Sequence, residues 1–532
     1  MERTICAAAF LLVVLLSCHA TAAAANGRWP PPTLATHYSF SSARQVMAAA
    51  GSSKGAAEHV PSMVQYETRW YTQRLDHFNV APASYGTFQQ RYLVNDTFWG
   101  GKNAPIFLYA GNEGDVELFA NNTGFMWEVA PRFGAMLVFV EHRYYGASMP
   151  FGSAKAAFKD ASTLGYLTTT QAIADLATLV LSLKANLSAP VAPVLAFGGS
   201  YGGMLAAWMR LKYPHIVMGA VASSAPILSF YGLADPYAFY DAVTKDFKSE
   251  SENCYDVLRR SWDELDNALA TDAGRAELNR KFKMCDGKVE TIPDLLDTAV
   301  IYGAMMDYPT SSGFLTPLPA YPVLSMCRAI DDNPTSSSGA DDDVLSRVRE
   351  AINVYYNHTG AAACFGAAED DDPYGMFSGW NWQAHTEMVL MTSAVRDGAV
   401  LPPSPFNLTE LLDEGRNYTG LPPRPFWIET EFGGFDIANV LRRSASNILF
   451  FNGLRDPWST GGYVSILFSY LQSTEEHFDS IIALVEPQGA HHVDLRFSNK
   501  DDPDWLKQVR RKETRIIARW LSQYYSDEGI SA

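Results

Sequence analysis

The run Val194-Leu195-Ala196-Phe197-Gly198-Gly199-Ser200-Tyr201-Gly202-Gly203-Met204-Leu205 changes texture twice. Residues 194–197 are apolar and short enough for a buried strand. Glycines then crowd around one serine, and 204–213 read as a helix stopped by Pro214. A serine in Gly-x-Ser-x-Gly between a strand and a helix is a nucleophile elbow, which lifts the hydroxyl above the sheet at the positive end of the following helix. Gly198 and Gly202 are needed because a Cβ at either would clash across the turn. A tight turn that merely contains a serine is the competing reading, and it leaves the flanking strand and helix unexplained. The elbow predicts an α/β-hydrolase fold, a mainly parallel sheet covered by helices on both faces.

Around the elbow the pattern is consistent with that fold. Residues 105–109, 135–140 and 217–222 read as further buried strands, and 169–185 has helical spacing of Ile173, Leu176, Leu179, Val180 and Leu183. From about 231 to 445 charged helical stretches, such as 253–269 and 342–356, alternate with Pro, Ser and Asp clusters. We read this as a mainly helical inserted cap, with the acidic run 369–372 as a solvated turn. Strand texture returns at 448–451 and 481–485, and an amphipathic helix over 503–525 closes the chain. The expected division is therefore 66–230 and 446–532 for the hydrolase domain and 231–445 for the insertion.

Residues 1–25 have a charged start, an apolar run over 5–16 and small residues beyond, the order of a secretory signal peptide. A membrane anchor is the alternative, but the run is short for a bilayer. Residues 26–65, rich in Ala, Ser, Pro and Gly, read as a flexible lead or propeptide. Export agrees with six sequons, at Asn95, Asn121, Asn186, Asn357, Asn407 and Asn417, and with four cysteines beyond the signal, Cys254, Cys285, Cys327 and Cys364. Four cysteines allow three pairings, and spacing does not choose among them. No Cys-x-x-Cys pair suggests zinc, and we expect no metal or other cofactor. A net charge of −17 argues against nucleic acid as a partner.

A serine nucleophile needs a base, and the base an orienting carboxylate, in chain order Ser, Asp, His for this fold. Asp456 stands four residues past Asn452, just after a strand, and His491 and His492 follow the next strand. An Asx turn before Pro457 is the plainer role for Asp456, and position alone does not separate the two histidines. The oxyanion hole calls for two backbone N–H groups. One is that of Tyr201, and the other comes from the loop Gly111-Asn112-Glu113-Gly114, with Gly114 as the candidate. Glu113 either holds a substrate's free amine or braces that loop.

Together these residues resemble the serine peptidase family of lysosomal Pro-X carboxypeptidase and dipeptidyl peptidase II. The resemblance rests on Gln73-Arg74-Leu75-Asp76-His77-Phe78, Gln90-Arg91-Tyr92, Gly111 to Asp115, Glu141-His142-Arg143-Tyr144-Tyr145-Gly146, the elbow through Leu205, Ala222 to Pro226, Gly379-Trp380, Asn452 to Trp458 and Gly489 to Arg496. It implies a helical cap over an α/β-hydrolase site, an acyl-enzyme, and cleavage after proline. It implies that His491 is the catalytic histidine, that Met204, Trp458 and Leu390 line the proline pocket (Leu390 where a methionine is expected), and that Cys254 pairs with Cys327 and Cys285 with Cys364. The plainer alternative for Met204 is a gap-filler that packs the elbow helix. The chain departs from the carboxypeptidase branch in having no cysteines at His385 or near Asp413-Glu414.

The implied partners are peptides with proline next to the scissile bond, with no nucleic acid and no membrane, and with a homodimer allowed. The implied location is the secretory pathway, ending in a lysosome, a vacuole or outside the cell. Release of a C-terminal residue is the first expectation, because 121–127 look closer to the carboxypeptidase branch. Dipeptidyl peptidase II-like release of X-Pro dipeptides, or an esterase or lipase on the same fold, are the alternatives.

Overall fold

The computed structural model describes residues 63–285, 287–332, 343–365, 376–463 and 480–530. The expected signal peptide, nearly all of the expected lead and the acidic run 369–372 lie outside them.

Eight strands form one sheet: β1 (Glu67–Arg74), β2 (Thr87–Asn95), β3 (Ile106–Tyr109), β4 (Met136–Val140), β5 (Val194–Gly199), β6 (Gly219–Ser223), β7 (Ile448–Gly453) and β8 (Ile481–Glu486). Their order is β1-β2-β4-β3-β5-β6-β7-β8. The strands from β4 to β8 in that order run parallel, whereas β1–β2 and β2–β4 pair antiparallel. This is the α/β-hydrolase sheet. Strands β3 to β7 are buried along their whole length, which is why their apolar runs are legible in sequence. The antiparallel pair was not foreseen. β1 is an edge strand with mostly exposed side chains, so it carries no continuous apolar signal.

β6 and β7 are neighbours although the insertion separates them in sequence. Between them the described residues form helices, turns and isolated bridges, with the helices Glu252–Leu269 and Val344–Tyr356 where the sequence places them. Disulfides join Cys254 to Cys327 and Cys285 to Cys364, the pairing the resemblance implied. Where the further cysteines are missing, the His385 ring stacks on Tyr418 at 4.8 Å. Gly415 lets the chains approach there, since a Cβ on it would lie 3.1 Å from the His385 carbonyl oxygen.

Three of the motifs quoted above meet in buried charge networks beside the sheet. Arg143 donates to both oxygens of Asp175 at 2.7 and 2.6 Å, and His77 Nε2 lies 2.7 Å from the same carboxylate. Glu141 accepts from Arg91 at 2.6 Å and from Ser148 at 2.7 Å. Gly146 is required beside it, because a Cβ there would fall 1.8 Å from Glu141 Oε1. Buried charges persist only when paired in this way.

Asn95 departs from the expectation of a glycan acceptor. Its side chain is buried at the end of β2, and its Nδ2 donates to the Gln65 carbonyl at 2.6 Å. Asn357 Nδ2 is also engaged, with the Ala362 carbonyl at 3.0 Å. Asn186, Asn407 and Asn417 are exposed, and Asn121 is half-buried.

Candidate active site

β5 delivers Ser200 with φ 57° and ψ −128°, and the helix Tyr201–Lys212 starts at the next residue. The helix begins three residues before the sequence suggests, because Gly202 and Gly203 look like loop yet are helical. Glycine is needed at both flanks: a Cβ on Gly198 would lie 2.0 Å from the Gly202 carbonyl oxygen, and one on Gly202 would lie 2.2 Å from Asn112 Oδ1. A non-glycine residue at this φ stores about 1–3 kcal/mol of strain, tolerated where packing fixes the turn. The Ser200 side chain does not cap the helix, so the first-turn N–H groups stay available at its positive end.

The loop after β3 packs against this turn. Gly111 adopts φ 78°, and a Cβ on it would meet the Val140 carbonyl oxygen at 2.6 Å. Asn112 Nδ2 donates to the Gly199 carbonyl at 3.0 Å, and the Tyr109 hydroxyl donates to Asn112 Oδ1 at 2.6 Å. Asn112 also donates to Glu113 Oε2 at 3.1 Å. This bond ties the Glu113 carboxylate to its own loop. Burial raises its pKa, against the pull of its own backbone N–H, Asn112 and His491. The next N–H along the loop belongs to Gly114.

The two histidines are separated by their partners. His491 Nδ1 donates to Asp456 Oδ2 at 2.7 Å, and the other oxygen, Oδ1, accepts from the Trp458 N–H at 3.0 Å. Both His491 and Asp456 are buried. His492 Nδ1 instead accepts from Arg496 at 2.7 Å, and its N–H donates to Ser224 Oγ at 2.8 Å. Burial, with His491 and Arg496 adding to it, holds His492 neutral. The His492 ring lies where a Cβ on Gly199 would touch it at 3.0 Å, so the pair sits against the elbow. Among the described residues no hydrogen bond joins Ser200 to His491. Such contacts often tighten only with substrate bound.

The insertion holds this machinery in place, which the sequence did not reveal. The His491 N–H donates to the Met305 carbonyl at 3.0 Å, and the Tyr308 hydroxyl donates to the His491 carbonyl at 2.9 Å. Arg455, beside Asp456, pairs with Glu250 at 2.6 Å and Asp307 at 2.7 Å, both from the inserted segment. Tyr201 is tied down as well. Its hydroxyl accepts from Gln383 Nε2 at 2.9 Å and lies 3.1 Å from both Thr169 Oγ1 and His142 Nε2. Burial pushes the His142 pKa down to about 4, so that ring is neutral. His142 stands in a motif already singled out. For Gln383 and Tyr308 the sequence offers no signal, because only folding brings them to the site.

Met204, Trp458 and Leu390 are all buried in the main core. Trp458 packs edge-on against Phe239 with centroids 4.9 Å apart. Leu390 borders a cavity of about 20 Å³ with His385 and Met388.

A serine on a glycine-flanked elbow near a buried carboxylate–imidazole pair has the groups that acyl transfer uses. The sequence matches the family described as Serine carboxypeptidase S28 over residues 73–513. It is 40% identical to the lysosomal Pro-X carboxypeptidase of Bos taurus over 468 residues, covering 87% of this chain and 89% of that protein. It is likewise 40% identical to the Homo sapiens protein of that name over 471 residues, covering 87% and 90%. The thymus-specific serine protease of Homo sapiens is 28% identical over 484 residues, covering 85% and 86%.

Proposed function

This chain belongs to the serine carboxypeptidase S28 family, and from that premise we propose that it removes the C-terminal residue from peptides whose preceding residue is proline. The observation that carries the reading is the 2.7 Å bond between His491 Nδ1 and Asp456 Oδ2 beside the elbow, with His492 diverted to Arg496. The 40% identity to proteins named Pro-X carboxypeptidase supplies the substrate class.

In this mechanism Ser200 Oγ attacks the carbonyl carbon of proline while His491 Nε2 takes the hydroxyl proton. Asp456 fixes the tautomer and stabilises the imidazolium. The backbone N–H groups of Tyr201 and Gly114 stabilise the oxyanion. The C–N bond breaks as His491 protonates the departing amine, leaving a prolyl ester on Ser200. Water, deprotonated by His491, then releases the acid and restores the serine. Met204, Trp458 and Leu390 form the apolar pocket for the proline ring, where shape and burial select. The insertion 231–445 caps the site built from 66–230 and 446–532. A lysosome or related acidic compartment is the proposed location, and a homodimer, testable by sedimentation, the proposed assembly.

Release of an N-terminal X-Pro dipeptide is the second reading. It is favoured by Glu113, a carboxylate close enough to His491 to feel its charge. One assay separates the two. Blocked Ala-Pro-Phe with a free carboxylate should be cleaved at least about tenfold faster, by kcat/KM, than free-amine Lys-Pro-arylamide. That ratio is about 1.4 kcal/mol of differential transition-state binding. Cleavage of the arylamide alone would reverse the choice, and hydrolysis of a p-nitrophenyl ester but of neither peptide would favour an esterase.

A further inference from the structure

A cavity of about 490 Å³ has walls that include Phe78, Thr168, Trp382, Glu387, Arg424 and Trp427, and no member of the proposed triad. Its walls carry two groups of opposite sign, the buried Glu387 carboxylate and the exposed Arg424 guanidinium. Glu387 is 4% exposed. Its Oε1 accepts from the Thr169 N–H at 2.6 Å, from Thr169 Oγ1 at 2.8 Å and from Gln383 Nε2 at 3.3 Å. Its Oε2 has no hydrogen bond of ordinary geometry. The Trp427 indole stands near enough to favour the charged form, yet burial still pushes the Glu387 pKa up to about 7. The second charge is Arg424, an exposed residue whose guanidinium lies over the Trp427 ring at 5.4 Å. Among the described residues Arg424 has no carboxylate partner. The other acid of the cavity, Glu431, is already paired with Lys212 at 2.8 Å.

A buried carboxylate oxygen without a full partner is costly, and a ligand that supplies a cationic donor offsets that cost. A mainly apolar cavity of a few hundred Å³ with two placed charges is the usual form of a small-molecule site. We propose that the cavity binds a free α-amino acid with an apolar side chain. The ligand's ammonium is held by the Glu387 carboxylate, its carboxylate accepts from the Arg424 guanidinium, and its side chain rests against Phe78, Trp382 and Trp427. The proposed function enters only as the source of this ligand, since a carboxypeptidase releases one free amino acid per turnover. Glu387 is also wired to the elbow. Thr169 Oγ1, which donates to Glu387, lies 3.1 Å from the hydroxyl of Tyr201, the residue after the nucleophile.

The test is calorimetric titration of the full-length Ser200→Ala protein, where no turnover interferes. L-Phenylalanine should give one saturable site. Phenethylamine, which lacks the carboxylate, and 3-phenylpropanoate, which lacks the ammonium, should each bind at least tenfold more weakly. Glu387→Gln and Arg424→Gln should each weaken phenylalanine binding at least tenfold. Arg424 is exposed, so its variant decides the matter if the Glu387 variant does not fold. No saturable heat, undiminished binding in Arg424→Gln, or equal binding of either truncated analogue would overturn the proposal. The peptidase reading fails separately, in the Ala-Pro-Phe assay on the wild-type protein.

Discussion

Ser200→Ala lowers kcat on blocked Ala-Pro-Phe by on the order of 10⁶-fold and abolishes labelling by a fluorophosphonate; that is the largest effect expected of any single substitution. The hydroxyl has no hydrogen-bond partner among the described residues, so its removal deprives the fold of no contact there. The backbone at φ 57° is held by the packing of Gly198 and Gly202, which the variant keeps. The thermal midpoint should therefore shift by no more than a few degrees, and the loss reads as chemistry. A residual acceleration over water of about 10³-fold is expected from the oxyanion donors and from binding alone. A folded Ser200→Ala protein that keeps more than about one-hundredth of the parent kcat would remove Ser200 from the mechanism.

Asp456→Asn should cost about 10⁴-fold in kcat with little loss of stability. The reason lies in which oxygen does what. Oδ1 accepts from the Trp458 N–H at 3.0 Å and Oδ2 from His491 Nδ1 at 2.7 Å. An asparagine must place its carbonyl toward the Trp458 N–H, because an amide nitrogen there would set donor against donor. Its NH₂ group then faces His491 Nδ1, which must become the acceptor, and the ring proton moves to Nε2. In that tautomer His491 cannot take the Ser200 proton. The comparison is made at saturating peptide, with circular dichroism as the check on folding. An Asn variant within about tenfold of the parent kcat would show that Asp456 does not set the tautomer.

The parts of the fold legible in sequence were those with an unambiguous local signature. β3 to β7 announce themselves as continuous apolar runs because both faces are covered. β1 and β2 do not, since an antiparallel edge pair is half-wet and its pattern is mixed. Ser200 and Asp456 were legible because each follows a strand in a turn of special composition. The choice between His491 and His492 was not legible from position. Adjacent residues with the same side chain differ only in what they face, Asp456 for one and Arg496 for the other.

The sequence by itself determined the elements and their order: strand, glycine turn and helix around Ser200, an insertion between two halves of a sheet, and the loops after β7 and β8. These follow from periodicity, glycine geometry and chain order, which are local properties. The tertiary structure alone decided which groups meet. It gave the His491 loop its anchors at Met305 and Tyr308, bound Arg455 to Glu250 and Asp307, tied the Tyr201 hydroxyl to Gln383, and left Glu387 facing a cavity. Several of these contacts join residues more than a hundred positions apart. Their geometry depends on how the layers pack, and no local pattern of polar and apolar residues encodes it.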